Sequence, residues 1–185
     1  MNEHSSKDNQ QEIIDSEIAW LAGVIECDGT ISLSCHVRKV SAKPKCGVEI
    51  KLYNTDGGII SKAVDIITKL NLSHHISERV QKPMELANGK SYGNNKTMLA
   101  LTVKNLGDAY LLGKLLHPWM FGEKAKRLEL MLQFLSGRLK KIKDNGGEYR
   151  NVPIDQDDLT IISSFYKRFV KRQSNKHLID ALLRD

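Results

Sequence analysis

Residues 20–29, Trp-Leu-Ala-Gly-Val-Ile-Glu-Cys-Asp-Gly, join a helical pattern to a strand pattern through an acidic residue and a glycine. Before the acid, apolar side chains recur at positions i, i+3, i+4 and i+7, namely Ile18, Leu21, Ala22 and Ile25. This spacing predicts a helix from about Ser16 to Cys27, with Asp15 or Ser16 as its N-cap. Ala19 and Gly23 lie beside the apolar stripe, where small side chains would let a second helix approach closely.

Asp28 follows at the carboxyl end of this helix, where the helix dipole is negative. A carboxylate there costs about 0.3–1 kcal/mol, and a bound cation would reverse that cost. Gly29 allows the chain to turn, and the next residues alternate apolar and polar side chains, as in a strand with one buried face. An ordinary amphipathic helix that ends in an Asp-Gly turn has the same local pattern, so Asp28 alone does not decide between a structural and a cation-binding role.

The pattern of apolar residues predicts an α+β chain in the order helix, two strands, helix, two strands, helix, followed by further helices. Strands are expected at about residues 30–39, 46–53, 74–81 and 97–104, with a polar loop at 82–96. The later helices are expected at about 59–70, 106–116, 121–139 and 156–172. We expect one domain over 1–185, with a disordered tail at 1–11 and a C-terminal helical extension at 139–185.

Antiparallel hairpins with helices on one side leave the other face of the sheet open. The alternation places polar residues of three strands on that open face: Ser32, Ser34, His36, Arg38, Glu49, Lys51, Tyr53, His75, Ser77, Arg79 and Gln81. Such side chains can bind base edges and phosphates in a DNA major groove, and Arg38 and Arg79 are the best suited to read guanine. A solvated sheet face has a similar composition and is the alternative.

The charge balance suits a polyanionic partner without proving one. The chain has 28 Lys and Arg against 22 Asp and Glu, a net charge of +6 and a sequence pI near 9.2. The basic residues Arg138, Lys140, Lys141 and Lys143 follow a long helical pattern. We expect the three lysines to lie in a flexible segment and at most to touch phosphates, without sequence preference. No membrane-spanning or signal segment is predicted, so the expected location is intracellular, whether cytoplasmic or organellar. Three cysteines without ligand-like spacing predict neither a disulfide framework nor a zinc site.

Residues Leu21-Ala22-Gly23-Val24-Ile25-Glu26-Cys27-Asp28-Gly29 resemble the signature of the LAGLIDADG homing endonucleases, with departures at Val24, Glu26 and Cys27. The resemblance implies an αββαββα core with a saddle-shaped antiparallel sheet. It also implies that Asp28 and the backbone carbonyl of Cys27 bind Mg²⁺ or another divalent cation such as Mn²⁺. The order of predicted elements continues to fit this family to about residue 138, which makes the resemblance more specific than a short motif alone.

A single copy of the signature implies a homodimer, because one aspartate supplies too few ligands for a metal site. The resemblance places the two signature helices against each other through Ala19, Ala22, Gly23 and Glu26. It implies a double-strand break in a roughly palindromic DNA site, by an enzyme encoded in an intron or an intein-like mobile element. A strand of about nine residues spans ~30 Å, so two chains would cover about 18–22 base pairs.

The family also carries a lysine after the proline of its third helix, and here Lys124 is preferred over Lys126 for that catalytic role. Tyr53 falls where the family often has a water-positioning glutamine. Two other functions stay open: an RNA maturase that assists group I intron splicing, with intron RNA as its partner, and a non-catalytic DNA-binding regulator. Retention of Asp28 favours cleavage over both.

Overall fold

A computed structural model describes residues 3–36, 44–80, 84–85, 91–92, 97–147 and 152–169 of the chain. The α-helices in these residues are α1 Glu3–Asp28, α2 Gly57–Lys69, α3 Leu106–Leu116, α4 Gly122–Asp144 and α5 Gln156–Phe169. The strands are β1 Gly29–His36, β2 Lys45–Asn54, β3 His75–Val80, β4 Met84–Glu85, β5 Ser91–Tyr92 and β6 Thr97–Val103. A short 3-10 helix, His117–Trp119, follows α3.

The longer strands form one sheet in the order β1, β2, β6, β3, and β4 pairs with β5. The predicted α+β class and antiparallel sheet are confirmed. The small pair β4 and β5 was not predicted, because strands of two residues are too short to show alternation. No helix in the described ranges is long and apolar enough to cross a membrane.

The first helix is longer than its sequence pattern predicts. It begins at Glu3, so Asp15 and Ser16 lie inside it and neither is its N-cap, and much of the tail expected to be disordered is helical. The physical reason is local, since residues 3–15 contain neither glycine nor proline and include two Glu, two Gln and one Lys, which favour helix.

The chain groups into two compact units, residues 1–30 with 51–103 (the first unit) and residues 31–50 with 104–185 (the second unit). In the first unit, α1 packs on α2, α2 packs on β6, and β3 pairs antiparallel with β6. The core of this unit contains the predicted apolar stripe of α1 together with residues of α2 and β6, including Ile18, Leu21, Ala22, Ile25, Ile66, Ile67 and Leu101. The signature helix is therefore fixed by its own apolar face.

In the second unit, α3 and α5 both pack on α4. A Cβ atom at Gly113 would lie 3.0 Å from the Leu132 side chain, so the glycine permits the close approach of α3 to α4. Buried side chains of the three helices form the core, including Leu112, Leu116, Leu128, Phe134, Ile162 and Phe165.

The basic segment after the long helix does not have the predicted structure. Helix α4 continues to Asp144, so the segment is helical and the expected boundary at residue 139 falls inside a helix. The helix ends at the predicted Asp-Asn-Gly-Gly break, where Gly146 and Gly147 have φ angles of +77° and +85°.

Two of the basic residues in this segment bind the start of α5 rather than solvent. Arg138 is 2% exposed and donates hydrogen bonds to the carbonyls of Val152 (2.9 Å) and Pro153 (2.6 Å) and to the Asp158 carboxylate (3.2 Å). The Lys141 ammonium lies 2.6 Å from Asp155 and 3.1 Å from Asp158. Burial opposes the charge of Lys141, but its hydrogen bonds to these carboxylates outweigh burial and raise its pKa. Of the four basic residues in this segment, Lys140 and Lys143 are exposed.

Candidate functional site

Asp28 is the last residue of α1 and its side chain is exposed. Three and six residues earlier, Ile25 and Ala22 point into the core and fix the rotation of the helix. The carboxylate therefore projects from a rigid helix end, where the dipole of α1 is negative. This position fits the predicted role of Asp28 as a group that a cation would stabilise.

Gly29 connects Asp28 to β1 at a place where no side chain fits. A Cβ atom on Gly29 would lie 2.7 Å from the Ile25 carbonyl oxygen and 2.8 Å from the Lys51 carbonyl oxygen. Both atoms belong to the backbone and cannot move aside. The glycine thus lets α1 end directly against β2, which places Asp28 beside the end of that strand.

Asn54, the last residue of β2, contacts Asp28 directly. Its side-chain Nδ2 donates a hydrogen bond of 2.9 Å to Oδ2 of Asp28. Its Oδ1 accepts a hydrogen bond of 2.8 Å from the backbone N–H of Asp56, and Asp56 in turn caps α2 by accepting from the Gly58 N–H. The amide of Asn54 is therefore held at both ends, and it can fix the orientation of the Asp28 carboxylate.

Sequence reasoning missed Asn54. The alternation of β2 puts Val48, Ile50 and Leu52 in the core, and Asn54 has the same parity. The strand predicted at about 46–53 stops before Asn54, because Asn54 begins a run of turn-forming residues, Asn-Thr-Asp-Gly-Gly. Because β2 ends at Asn54, the alternation of buried and exposed side chains along the strand does not place the Asn54 side chain in the core.

Asp28 and Asn54 line an open recess of about 230 Å³ together with Tyr53, Thr55 and Met98. Liquid water occupies roughly 30 Å³ per molecule, so a hydrated cation fits in this volume. The lining offers carboxylate, amide and hydroxyl oxygens, which are the ligands that Mg²⁺ prefers. Among the residues that the structure describes, no group of three or more His, Cys, Asp or Glu side chains could hold a metal ion. Asp28 is the one acidic side chain among the described residues that line this recess.

Strand β3 places three of the predicted DNA-binding residues on the same sheet face as the recess. Arg79 lies opposite Met98 of β6, and Ser77 and His75 lie two and four residues further along β3. Residues directly opposite in an antiparallel pair share a face. Since Met98 lines the recess, Arg79, Ser77 and His75 share that face, and all three are exposed.

The alternation predicted for β1 and β2 is also observed. In the second unit, Ser32, Ser34 and Glu49 are half-buried and alternate with buried apolar residues. In the first unit, Lys51 and Tyr53 are half-buried and flank the buried Leu52. The remaining candidates cannot be placed: Arg38 and Gln81 lie outside the described residues, as does the side chain of His36.

The fold of the chain matches solved structures of one class of enzyme. The homing endonuclease I-CvuI, solved in complex with DNA, aligns over 92% of this chain and 94% of its own, with a TM-score of 0.62 and 16% identity. This chain has the LAGLIDADG fold. The group I intron-encoded homing endonuclease I-CeuI, complexed with DNA, aligns over 90% of this chain and 74% of its own, with a TM-score of 0.58 and 16% identity.

A third protein of this class, the archaeal intron-encoded homing endonuclease I-Vdi141I, was also solved with DNA. It aligns over 92% of this chain and 99% of its own, with a TM-score of 0.54 and 16% identity. No protein-family profile and no curated protein sequence matches the chain. The likeness is therefore one of structure at low sequence identity.

Within this LAGLIDADG fold, not all of the residues predicted to form a dimer interface are exposed on the surface of the single chain. Ala22 has no exposed area, because it packs in the core of its own unit, so its assignment to a dimer interface is wrong. Gly23 is exposed, and Ala19 and Glu26 are half-buried, so these three keep their predicted place on a helix surface.

The catalytic lysine stays a prediction. Lys124 lies in the first turn of α4 and is half-buried, whereas Lys126 is exposed. Both belong to the second unit, while Asp28 and its recess belong to the first. The metal role of the Cys27 carbonyl likewise stays a prediction, with Cys27 in the last turn of α1.

Proposed function

We propose that this protein is a site-specific, metal-dependent DNA endonuclease that cuts both strands of a long, roughly palindromic site as a homodimer. The observation that carries the proposal is the position of Asp28, at the end of the signature helix and in a recess on the sheet face that bears Arg79, Ser77 and His75. Two further facts support it, namely the net charge of +6 and the LAGLIDADG fold shared with endonucleases solved on DNA.

Hydrolysis of a phosphodiester needs an activated water and neutralisation of charge on the phosphate and the departing oxygen. A divalent ion supplies both when it is bound. The residues of this chain that would hold it are Asp28 and the Cys27 carbonyl, with Asn54 orienting the carboxylate. The Tyr53 hydroxyl can hydrogen-bond a water, but a neutral phenol is a poor general base.

Two chains are required, because Asp28 is the one acidic side chain among the described residues that line the recess, and one carboxylate supplies too few ligands for a metal site. If the Gly23 surfaces of two signature helices pack together, their Asp28 carboxylates meet near the two-fold axis. A divalent cation held by these carboxylates would relieve their mutual repulsion. We place the enzyme in an intron or intein-like element, with a target of about 18–22 base pairs in the uninterrupted host sequence.

Cleavage of a plasmid that carries the joined sequences flanking the chain's own gene tests this proposal. We expect linear product in Mg²⁺ and none in EDTA. Binding without cleavage would indicate a DNA-binding regulator, and accelerated splicing of the host intron without cleavage would indicate a maturase. Either result would overturn the endonuclease assignment.

A further inference from the structure

Cys35 of β1 and Cys46 of β2 form a pair in the second unit. Cys35 has no exposed area and Cys46 is half-buried, and neither is in a disulfide. Each thiol shifts the pKa of the other, and the two residues lie on neighbouring strands.

The backbone hydrogen bonds around Cys35 indicate how this residue pairs with the neighbouring strand. β1 is at the edge of the sheet with β2 as its neighbour, and the Ser34 hydroxyl donates a hydrogen bond of 3.3 Å to the Gly47 carbonyl on the adjacent rung. The Cys35 N–H donates to the Tyr166 hydroxyl oxygen at 3.0 Å, and that hydroxyl in turn donates to the Cys35 carbonyl at 3.4 Å. Both backbone groups of Cys35 therefore bind Tyr166 of α5, which places them on the side of β1 that faces away from β2.

In an antiparallel ladder, a residue whose backbone groups point away from the partner strand belongs to a non-hydrogen-bonded pair. The Cα atoms of such a pair are about 4.5 Å apart, closer than in a hydrogen-bonded pair. A disulfide requires Cα atoms about 4.4–6.8 Å apart. The Cys35 and Cys46 thiols can therefore be joined with the strands in place.

We propose that Cys35 and Cys46 are an oxidation site, a dithiol that exchanges with a low-molecular-weight disulfide to form a cross-strand disulfide bond. The bond would link the two strand ends that flank residues 37–43, a connection rich in basic residues. The disulfide bond would lie on the buried face of β1, opposite the face that bears Ser34. This inference does not depend on the endonuclease function.

The exchange balances without a further reactant. The Cys46 thiolate, which is the more accessible, attacks one sulfur of the small disulfide and releases the first small thiol. The Cys35 thiolate then attacks the Cys46 sulfur of this mixed disulfide and releases the second. The two cysteine protons end on the two released thiols, and the two electrons lost by the cysteines reduce the small disulfide.

The rate of this exchange should depend on pH. The interaction between the two thiols raises the pKa of Cys46 and lowers the pKa of Cys35, and burial raises the pKa of both. Of the charged groups nearby, Asp158 raises the pKa of the Cys46 thiol and Arg138 lowers it. The attacking thiol, Cys46, is therefore the one whose pKa is raised. Little thiolate is then present at neutral pH, so the exchange should be slow there and should accelerate as the pH rises.

The test is to incubate the full-length protein with oxidised glutathione, alkylate it under denaturing conditions and digest it without reductant. Cys27 is exposed and would form its own mixed disulfide, so the Cys27→Ser variant is the background. We expect a cross-linked peptide that contains Cys35 and Cys46 and disappears with reductant. The oxidised protein should have a Tm about 5–10 °C higher, because the bond closes a short loop in the unfolded chain.

The control is Cys27→Ser combined with Cys46→Ser, which should show neither the cross-link nor the Tm rise. Recovery of Cys35 and Cys46 both alkylated, or of Cys46 joined only to glutathione, would overturn the proposal. A cross-link that lowers the Tm would also contradict it, since the bond would then be strained.

Discussion

The Asp28 carboxylate depends on a short chain of contacts at the residue scale. Asn54 donates to it, the Asp56 N–H holds Asn54, and Gly29 brings the helix end against β2. These contacts orient the oxygens of Asp28 before any ligand arrives. Preorganisation of this kind is what a metal-binding carboxylate requires from its neighbours.

Replacing Asp28 with Asn keeps the shape of the side chain and removes its charge. We expect Asp28→Asn to abolish cleavage while binding of the target stays within about tenfold, because most contacts to DNA come from the sheet. Plasmid cleavage and an equilibrium binding assay measure the two effects. Undiminished cleavage by Asp28→Asn would show that Asp28 is not the metal ligand.

Asn54→Ala should weaken the response to metal rather than the affinity for DNA. Loss of the hydrogen bond leaves Asp28 free to rotate, and such changes typically cost 10–100-fold in metal affinity or activity. The measurement is the Mg²⁺ concentration that gives half-maximal cleavage. Asn105→Ala is the matched control, because Asn105 caps α3 through backbone N–H groups and should affect stability alone. An unchanged Mg²⁺ midpoint in Asn54→Ala would exclude the positioning role.

Arg79→Ala should relax sequence specificity at one symmetric pair of base positions. Arginine can pair with guanine through two hydrogen bonds, worth ~1–3 kcal/mol of discrimination. The assay is binding to a library of single-base target variants at fixed salt. The exposed Lys140 and Lys143 provide the comparison. Their replacement with Ala should weaken binding to all targets alike, because attraction between lysine and phosphate does not depend on base sequence. If Arg79→Ala also weakens all targets uniformly, Arg79 does not read bases.

At the scale of elements, α4 and α5 are joined by an almost fully buried ion pair. The Arg138 and Asp158 side chains are 2% and 1% exposed, and Asp158 also exchanges capping hydrogen bonds with Asp155 at the start of α5. The basic segment thus stabilises the C-terminal extension. This contrasts with the phosphate-binding role expected from its composition.

Asp158→Ala should lower the free energy of unfolding by about 3–5 kcal/mol, because Arg138 would keep its buried charge without the carboxylate. Denaturant titration followed by circular dichroism measures this loss. Lys140→Ala, an exposed change on the same helix, should stay within about 0.5 kcal/mol. A loss in Asp158→Ala no larger than in this control would show that the ion pair contributes little.

At the scale of the whole molecule, the proposed dimer can be tested without disturbing the chain itself. A Cβ atom at Gly23 would meet nothing within 4 Å, so a larger side chain fits within the single chain. Gly23→Leu should nevertheless separate the subunits and abolish cleavage, since it would push the two signature helices apart. Light scattering gives the mass of each variant, and a cleavage assay gives its activity.

Gly137→Leu is the control for this substitution. Gly137 is also helical, and its added Cβ would likewise meet nothing within 4 Å, but it lies in α4. We expect this variant to remain dimeric. A wild-type protein that is monomeric and fully active, or a Gly23→Leu protein that is still dimeric, would exclude the proposed helix interface.

The sequence by itself determined the order and type of the main elements. The spacing of Ile18, Leu21 and Ile25 gave the buried face of α1, and period-two alternation gave the buried faces of β1 and β2. The predicted bounds of α3 match the observed Leu106–Leu116, because Asn105 and Pro118 mark its ends locally. Period and capping are local properties, so they can be derived from neighbouring residues.

Only the tertiary structure decided which polar residues act together. Asn54 donates a hydrogen bond to Asp28, which lies 26 residues earlier in the sequence. Arg138 donates a buried hydrogen bond to Asp158, which lies 20 residues later. The family resemblance implied that Ala22 lies in an interface between chains, whereas Ala22 is fully buried within the single chain. Whether a side chain is exposed, paired or buried depends on residues that are distant in sequence, and no local pattern contains that information.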